Sequence, residues 1–172
     1  ARKLGNSGRL AVPSFLTGAA LNTPDADTFA GQMVPGAPMD DAPVQVNGQD
    51  AWLLDQVGKG FQALLFVDAQ PAPEVLAQLA GLQASGGSAP LRANAQAVKV
   101  TPLIVASCPL ELPGMQVIVD AQGLVAKRYD AQPGTCYLLR PDQHVAARWR
   151  TLQMAPLQAA LARALGHHIG QA

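Results

Sequence analysis

The sequence predicts an α/β domain built on a mixed sheet, and three stretches carry that expectation. Residues 61–67, FQALLFV, form a nearly continuous apolar run, as a central strand covered on both faces requires. Residues 71–83 follow with the spacing of an amphipathic helix. Residues 115–150, MQVIVDAQGLVAKRYDAQPGTCYLLRPDQHVAARWR, read as strand, short helix, strand, tight turn, strand.

Taken in order, residues 1–50 are the least regular part. Asn6-Ser7-Gly8-Arg9, Leu21-Asn22-Thr23-Pro24-Asp25 and Val34-Pro35-Gly36-Ala37-Pro38 are turn-rich. No Lys or Arg occurs between Arg9 and Lys59, whereas Asp25, Asp27, Asp40, Asp41, Asp50 and Asp55 make this an acidic arm. Leu10, Val12, Phe15, Leu16, Leu21 and Phe29 give it more apolar side chains than a disordered tail carries. The arm is expected to be a solvated segment hugging its own domain, with a docking surface onto another domain or subunit as the other reading. A short helix is expected over 51–56, capped by Asp50 and stopped by Gly58. In the helix over 71–83, Pro73 suits the first turn, Glu74 complements the dipole, and Val75, Leu76, Leu79 and Leu82 make one stripe ending at Ser85-Gly86-Gly87. Residues 97–106 return as a strand, where Pro102 predicts an edge position or a bulge.

The strand at 115–119 is stopped by Asp120 and Gly123. One or two helical turns follow over 124–129, with Leu124, Val125 and Tyr129 inward and Lys127 and Arg128 toward water. Pro133 and Gly134 punctuate the chain before a strand at 136–139, and Arg140-Pro141-Asp142-Gln143 is a turn with proline in its second place. Residues 144–150 alternate, with Val145, Ala147 and Trp149 on one face and Ala146, Arg148 and Arg150 on a wet one. Pro156 opens a last helix, Leu157, Leu161 and Leu165 line it, and Gly166 closes it. A βαβ beginning and a ββα ending on a mixed sheet is thioredoxin-like architecture.

Composition narrows the function classes. A length of 172 residues suits one domain with a lead-in segment. The formal charge is +0 and 14% of residues are charged, without the basic stripe a nucleic-acid binder presents. No apolar run approaches the roughly 20 residues a bilayer crossing needs. Ala1-Arg2-Lys3-Leu4-Gly5 has neither an initiating Met nor signal-peptide features, so the start reads as cut from something longer and a cytoplasmic location is expected.

Cys108 and Cys136 are the only thiols and have neither CxxC nor zinc-ribbon spacing. They are expected as two small buried side chains in a reducing compartment, with a disulfide between them left open. His144 reads as a solvated strand residue, because no Ser, Cys or carboxylate is placed by sequence to be oriented by it. His167-His168 follows a helix end, and Cys108 is the only further ligand a metal site there could draw on. Arg148, Trp149 and Arg150 could stack on or pair with a partner, although a strand with one wet face explains them too.

Gly36-Ala37-Pro38, Trp52-Leu53-Leu54-Asp55, residues 61–66, and Asp120 to Tyr129 followed by Tyr137 to Asp142 resemble peroxiredoxin-type domains. In those enzymes the peroxidatic cysteine follows the first central strand, where this chain has Asp68-Ala69-Gln70-Pro71-Ala72-Pro73. A resemblance over nearly the whole chain rests on residues 6–9, 21–25 and 34–38, Gly60-Phe61 and above all residues 137–149, YLLRPDQHVAARW. These look like the C-terminal region of FAD-dependent aromatic hydroxylases, the group of phenol hydroxylase and 3-(3-hydroxyphenyl)propionate hydroxylase. The resemblance implies residues 1–35 as an arm from an upstream FAD domain and residues 36–172 as a thioredoxin-like domain without redox cysteines. It implies FAD and NAD(P)H for a parent monooxygenase, an upstream FAD and substrate domain as partner, and a possible homodimer. The family's catalytic and flavin residues belong upstream of Ala1, and GxGxxG is lacking here, so no catalytic, cofactor-binding or metal residue is assigned. The alternative is a stand-alone thioredoxin- or peroxiredoxin-like thiol protein working through Cys108 or Cys136.

Overall fold

A computed structural model describes residues 14–85 and 98–166. Among them, one sheet of seven strands is built from β1 (Pro43–Val46), β2 (Gln49–Trp52), β3 (Phe61–Val67), β4 (Val100–Ala106), β5 (Gln116–Val119), β6 (Cys136–Leu139) and β7 (Val145–Trp149). The spatial order is β2-β1-β5-β4-β3-β6-β7, with β3, β4 and β5 parallel and the other pairs antiparallel. The helices are α1 (Leu53–Gln56), α2 (Pro73–Ser85), α3 (Leu124–Arg128) and α4 (Met154–Ala164).

The central strand explains the layering. In β3, Phe61, Ala63 and Leu65 face a core closed by Leu79 and Leu82 of α2 and Leu157 and Leu161 of α4. Leu64 and Phe66 face a second core with Val125 of α3, Leu53 of α1, Tyr129, and Met33, Ala37 and Met39 of the arm. Both faces are dry, which is why the strand reads as an unbroken apolar run. Its one polar side chain, Gln62, accepts the Gly58 N–H at 2.8 Å, so burial leaves it paired.

Four local expectations are corrected. Residues 51 and 52, expected in the helix, are strand: Asn47 and Gly48, with φ of 51° and 77°, turn β1 into β2 as a two-residue hairpin. Helix α1 therefore starts at Leu53, and Asp41 rather than Asp50 accepts the Leu54 N–H, at 3.0 Å. Pro102 lies in an interior strand opposite Ala63; pairing with β5 begins one residue later, at Leu103, so the sheet is open beside the missing donor. In β7, Leu138 opposes Ala147 whereas Leu139 opposes Val145, so Ala146 is a bulged extra residue. The bulge moves Val145 to the α3 face, opposite to Ala147 and Trp149, and breaks the predicted alternation.

Nor does β7 have a wet side: all five of its residues are buried, Arg148 at 3% exposure included. The arm covers it. Along its outer edge, the Gly36 N–H bonds the Val145 carbonyl at 2.7 Å, the Val145 N–H the Ala37 carbonyl at 2.9 Å, and the Thr23 N–H the Ala146 carbonyl at 2.9 Å. Across the face, Asp25 takes Arg148 in a two-pronged pair at 2.9 and 2.7 Å, and Asp27 accepts the Arg150 N–H at 2.8 Å. Phe29 lies under both guanidinium groups, 4.4 Å from Arg148 and 3.8 Å from Arg150, with Tyr137 edge-on at 6.0 Å. The predicted stop at Gly86-Gly87 and the pair His167-His168 lie outside the described residues.

Two substitutions test this docking. Gly36 has φ of +93°, and a Cβ there would stand 2.5 Å from the Leu16 carbonyl oxygen, so Gly36→Ala should lower unfolding stability by about 2–4 kcal/mol in urea titration. Arg148→Ala, which strands Asp25 and opens a void beside Phe29, should cost about 3 kcal/mol by the same measurement.

Candidate functional site

The parallel strands β3, β4 and β5 point their carboxyl ends the same way, and their connections part there. After β3 the chain passes to α2 on one face; after β5 it passes to α3 on the other. That switch of faces leaves a crevice at the strand ends, the place where open α/β sheets accommodate ligands. Two cavities flank it. One of about 180 Å³ lies on the α2 face between Val67, Asp68, Gln70, Pro71, Pro133 and Thr151. The other, of about 110 Å³, lies on the α3 face between Phe66, Asp68, Ser107, Asp120, Ala131 and Pro133. A larger groove of about 540 Å³ runs along β1 and β5 over Leu110, Leu112, Met115, Val117 and Val119. It brings one carboxyl group, Glu111, and no thiol, so the reactive groups of the crevice have no counterpart there.

The crevice gathers few reactive groups. Cys108 follows β4, is exposed, and its thiol points at the Asp68 carbonyl oxygen at 3.8 Å. The sequence expectation of two buried cysteines therefore holds only for Cys136, which sits in β6 opposite Leu65. Burial pushes the Cys136 thiol up to about 12, so it stays protonated and unreactive in the folded chain. Both cysteines are free. Asp120 is 5% exposed; its Oδ2 accepts the Ala126 N–H at 2.8 Å and so ties the start of α3. Its Oδ1 has no hydrogen-bond partner and is closed off from the surface. No group of three or more His, Cys, Asp or Glu residues is arranged to hold a metal ion among the described residues.

A dinucleotide fits this end poorly. A phosphate needs free N–H groups at a helix start, and α2 starts at Pro73, which has no donor, with the acid Glu74 next to it. No chemical step through a flavin is therefore derived for these residues. His144 is far along the sheet, in the β6–β7 turn, and is half-buried rather than solvated, with both ring nitrogens against carbonyl oxygens. Nothing in sequence spacing announced that placement, since one of those oxygens belongs to Ser14.

No protein-family model and no curated protein matches the chain in sequence. Solved structures do match in shape. The flavin-dependent monooxygenase PieE, determined with FAD and substrate, superposes with a TM-score of 0.60 at 22% identity, over 86% of this chain and 24% of its own. Aklavinone-11 hydroxylase, determined with FAD and aklavinone, gives a TM-score of 0.59 at 20% identity, over 86% and 25%. Peroxidoxin BcpB from Mycobacterium tuberculosis gives 0.54 at 18% identity, over 81% and 100%. The chain thus has the thioredoxin-like fold that its element order predicts, and it spans about a quarter of the length of the two monooxygenases. Among the described residues, no helix is long and apolar enough to cross a membrane.

Thiol titration checks the site's chemistry. With an aromatic disulfide reagent at neutral pH, Cys108 should react at once and Cys136 only after denaturation. Raising the pH from the ordinary cysteine range toward about 12 should destabilise the fold, because Cys136 ionises more easily once unfolded.

Proposed function

We propose that this chain is a non-catalytic domain of an FAD-dependent, NAD(P)H-using monooxygenase that hydroxylates a phenolic or other aromatic substrate. Its role is stability and packing against an upstream FAD and substrate domain of the same polypeptide, with dimer contacts as a further use of the surface, in the cytoplasm. The observation that carries the reading is the state of the β3 carboxyl end. The residues from Asp68 to Pro73 bring no thiol, α2 starts on a proline followed by an acid, and among the described residues the neighbouring thiol of Cys108 meets a backbone carbonyl. The match to about a quarter of two flavin monooxygenases supports the same reading. FAD and NAD(P)H would then be held by the upstream domain, and this chain would supply a rigid mass packed against it.

A second reading is favoured by the exposure of Cys108 beside Asp68 and by the match to the whole of peroxidoxin BcpB: a thiol protein acting alone through that cysteine. The two separate cleanly. Under the first, the polypeptide isolated from its cells is about three and a half times the mass of this chain and yellow with flavin, and this chain alone consumes peroxide no faster than its Cys108→Ser variant. A native mass near 17.9 kDa, with peroxide consumption lost in Cys108→Ser, would overturn it in favour of the second.

A further inference from the structure

The ring of His144 stands between two carbonyl oxygens. Nδ1 lies 2.9 Å from that of Asp142, and Nε2 lies 3.1 Å from that of Ser14, 130 residues away in the chain. A carbonyl oxygen offers only lone pairs, so each contact is a hydrogen bond only when its nitrogen carries a proton. The neutral ring has one N–H and the imidazolium has two. We propose that His144 is a proton-gated latch that fastens the arm at Ser14 to the β6–β7 turn. With both nitrogens protonated it bridges Ser14 to Asp142; with one proton lost, one of the two carbonyls faces a lone pair and the bridge is weakened by that repulsion.

Two charged side chains of the same turn lie beside the ring. The Asp142 carboxyl lies 3.4 Å from Nδ1, and Arg140 holds that carboxyl in place at 2.6 Å. Among the described residues, the other segments in contact, Ser14 with its neighbour Phe15 and the bridged Pro38, bring no titratable side chain. The ring is 14% exposed, so solvent replaces the lost partners only in part. The next tie along the arm is the Leu16 N–H to the Gly36 carbonyl oxygen at 2.7 Å, which makes the Leu16 amide the natural reporter of an open latch.

The test is native-state hydrogen exchange of the Leu16 amide in the full chain, corrected for intrinsic rate, at about pH 5.5 and about pH 8, on either side of the ordinary imidazole range. Carboxyl groups titrate below that interval and add no slope. Protection should be about threefold to tenfold higher at the acid end, the weight of one hydrogen bond, while a core amide such as Leu103 stays level. The slope should vanish in His144→Gln and shrink in Asp142→Asn. A second readout needs no variant: the His144 ring nitrogens should both carry protons in nitrogen NMR spectra at about pH 5.5. Equal protection of Leu16 at both pH values, an undiminished slope in His144→Gln, or a singly protonated ring at the acid end would overturn the latch.

Discussion

The guanidinium of Arg148 is 3% exposed in the last strand of the sheet, and a charge taken out of water there needs a partner in fixed geometry. Asp25 supplies it from the arm with two hydrogen bonds, and Phe29 supplies a ring face four residues later. One cation therefore fixes the course of a segment that has no regular secondary structure of its own. With residues 25–29 held, Met33, Ala37 and Met39 are delivered to the core over β6 and β3, and Gly36 and Ala37 to the free edge of β7. An exposed seventh strand would offer its N–H and C=O groups to any passing chain; here the arm occupies them. Asp25 and Asp27 of the acidic arm and Arg148 and Arg150 of the basic end are two halves of one contact.

Arg150 extends the contact beyond the strand. It reaches the Thr28 carbonyl at 2.9 Å and the Asp130 carboxyl at 2.5 Å, and also donates to the Asp130 carbonyl. Asp130 itself sits at φ of +47°, just past α3, and accepts the Ala30 N–H at 2.7 Å. That backbone bond, and then the Arg150 side chain, hold its carboxyl below the usual range. Its contribution is therefore complete above the ordinary carboxylate range and is lost only as pH falls below it. The arm, the end of α3 and the last strand are joined at this one residue, so the α3 face of the sheet is closed by polar geometry as much as by apolar burial.

Much of the sheet was legible because each strand's burial left its mark on its own residues. The run 61–67 is two-sided, so every position is apolar or paired, and the strand occupies those residues and no others. Strand 136–139 is likewise found where the turn residues on either side put it. The errors fall where the cause lies elsewhere in the chain. Gln49, Asp50 and Trp52 are exposed and the strand carries no hydrophobic period; only Asn47-Gly48 signalled the hairpin. The alternation in residues 144–150 is real in the sequence, and a single bulged alanine redirects it. Arg148 looked like a wet-face residue because its partner is 123 residues away, and no local pattern records such a pair. The crevice follows the same rule: the absent thiol after β3 could be read directly, but the proximity of Cys108 to Asp68 joins two loops and could not.

What the fold does with its usual reactive end follows from these contacts. A thioredoxin-like sheet converges loops at the carboxyl ends of its parallel strands, and chemistry there needs a nucleophile, an activating neighbour and donors for developing charge. Here Pro71 and Pro73 remove donors, Asp120 spends one oxygen on the start of α3 and buries the other, and Cys136 is held protonated by its surroundings. Each of these choices favours order at the strand ends over reactivity. Along β7 and its flanking turns, by contrast, two arginines, three aspartates, an aromatic ring and a histidine hold the arm in place. The polar side chains of Asp25, Asp27, Asp130, His144, Arg148 and Arg150 thus fix how the arm meets the body of the domain.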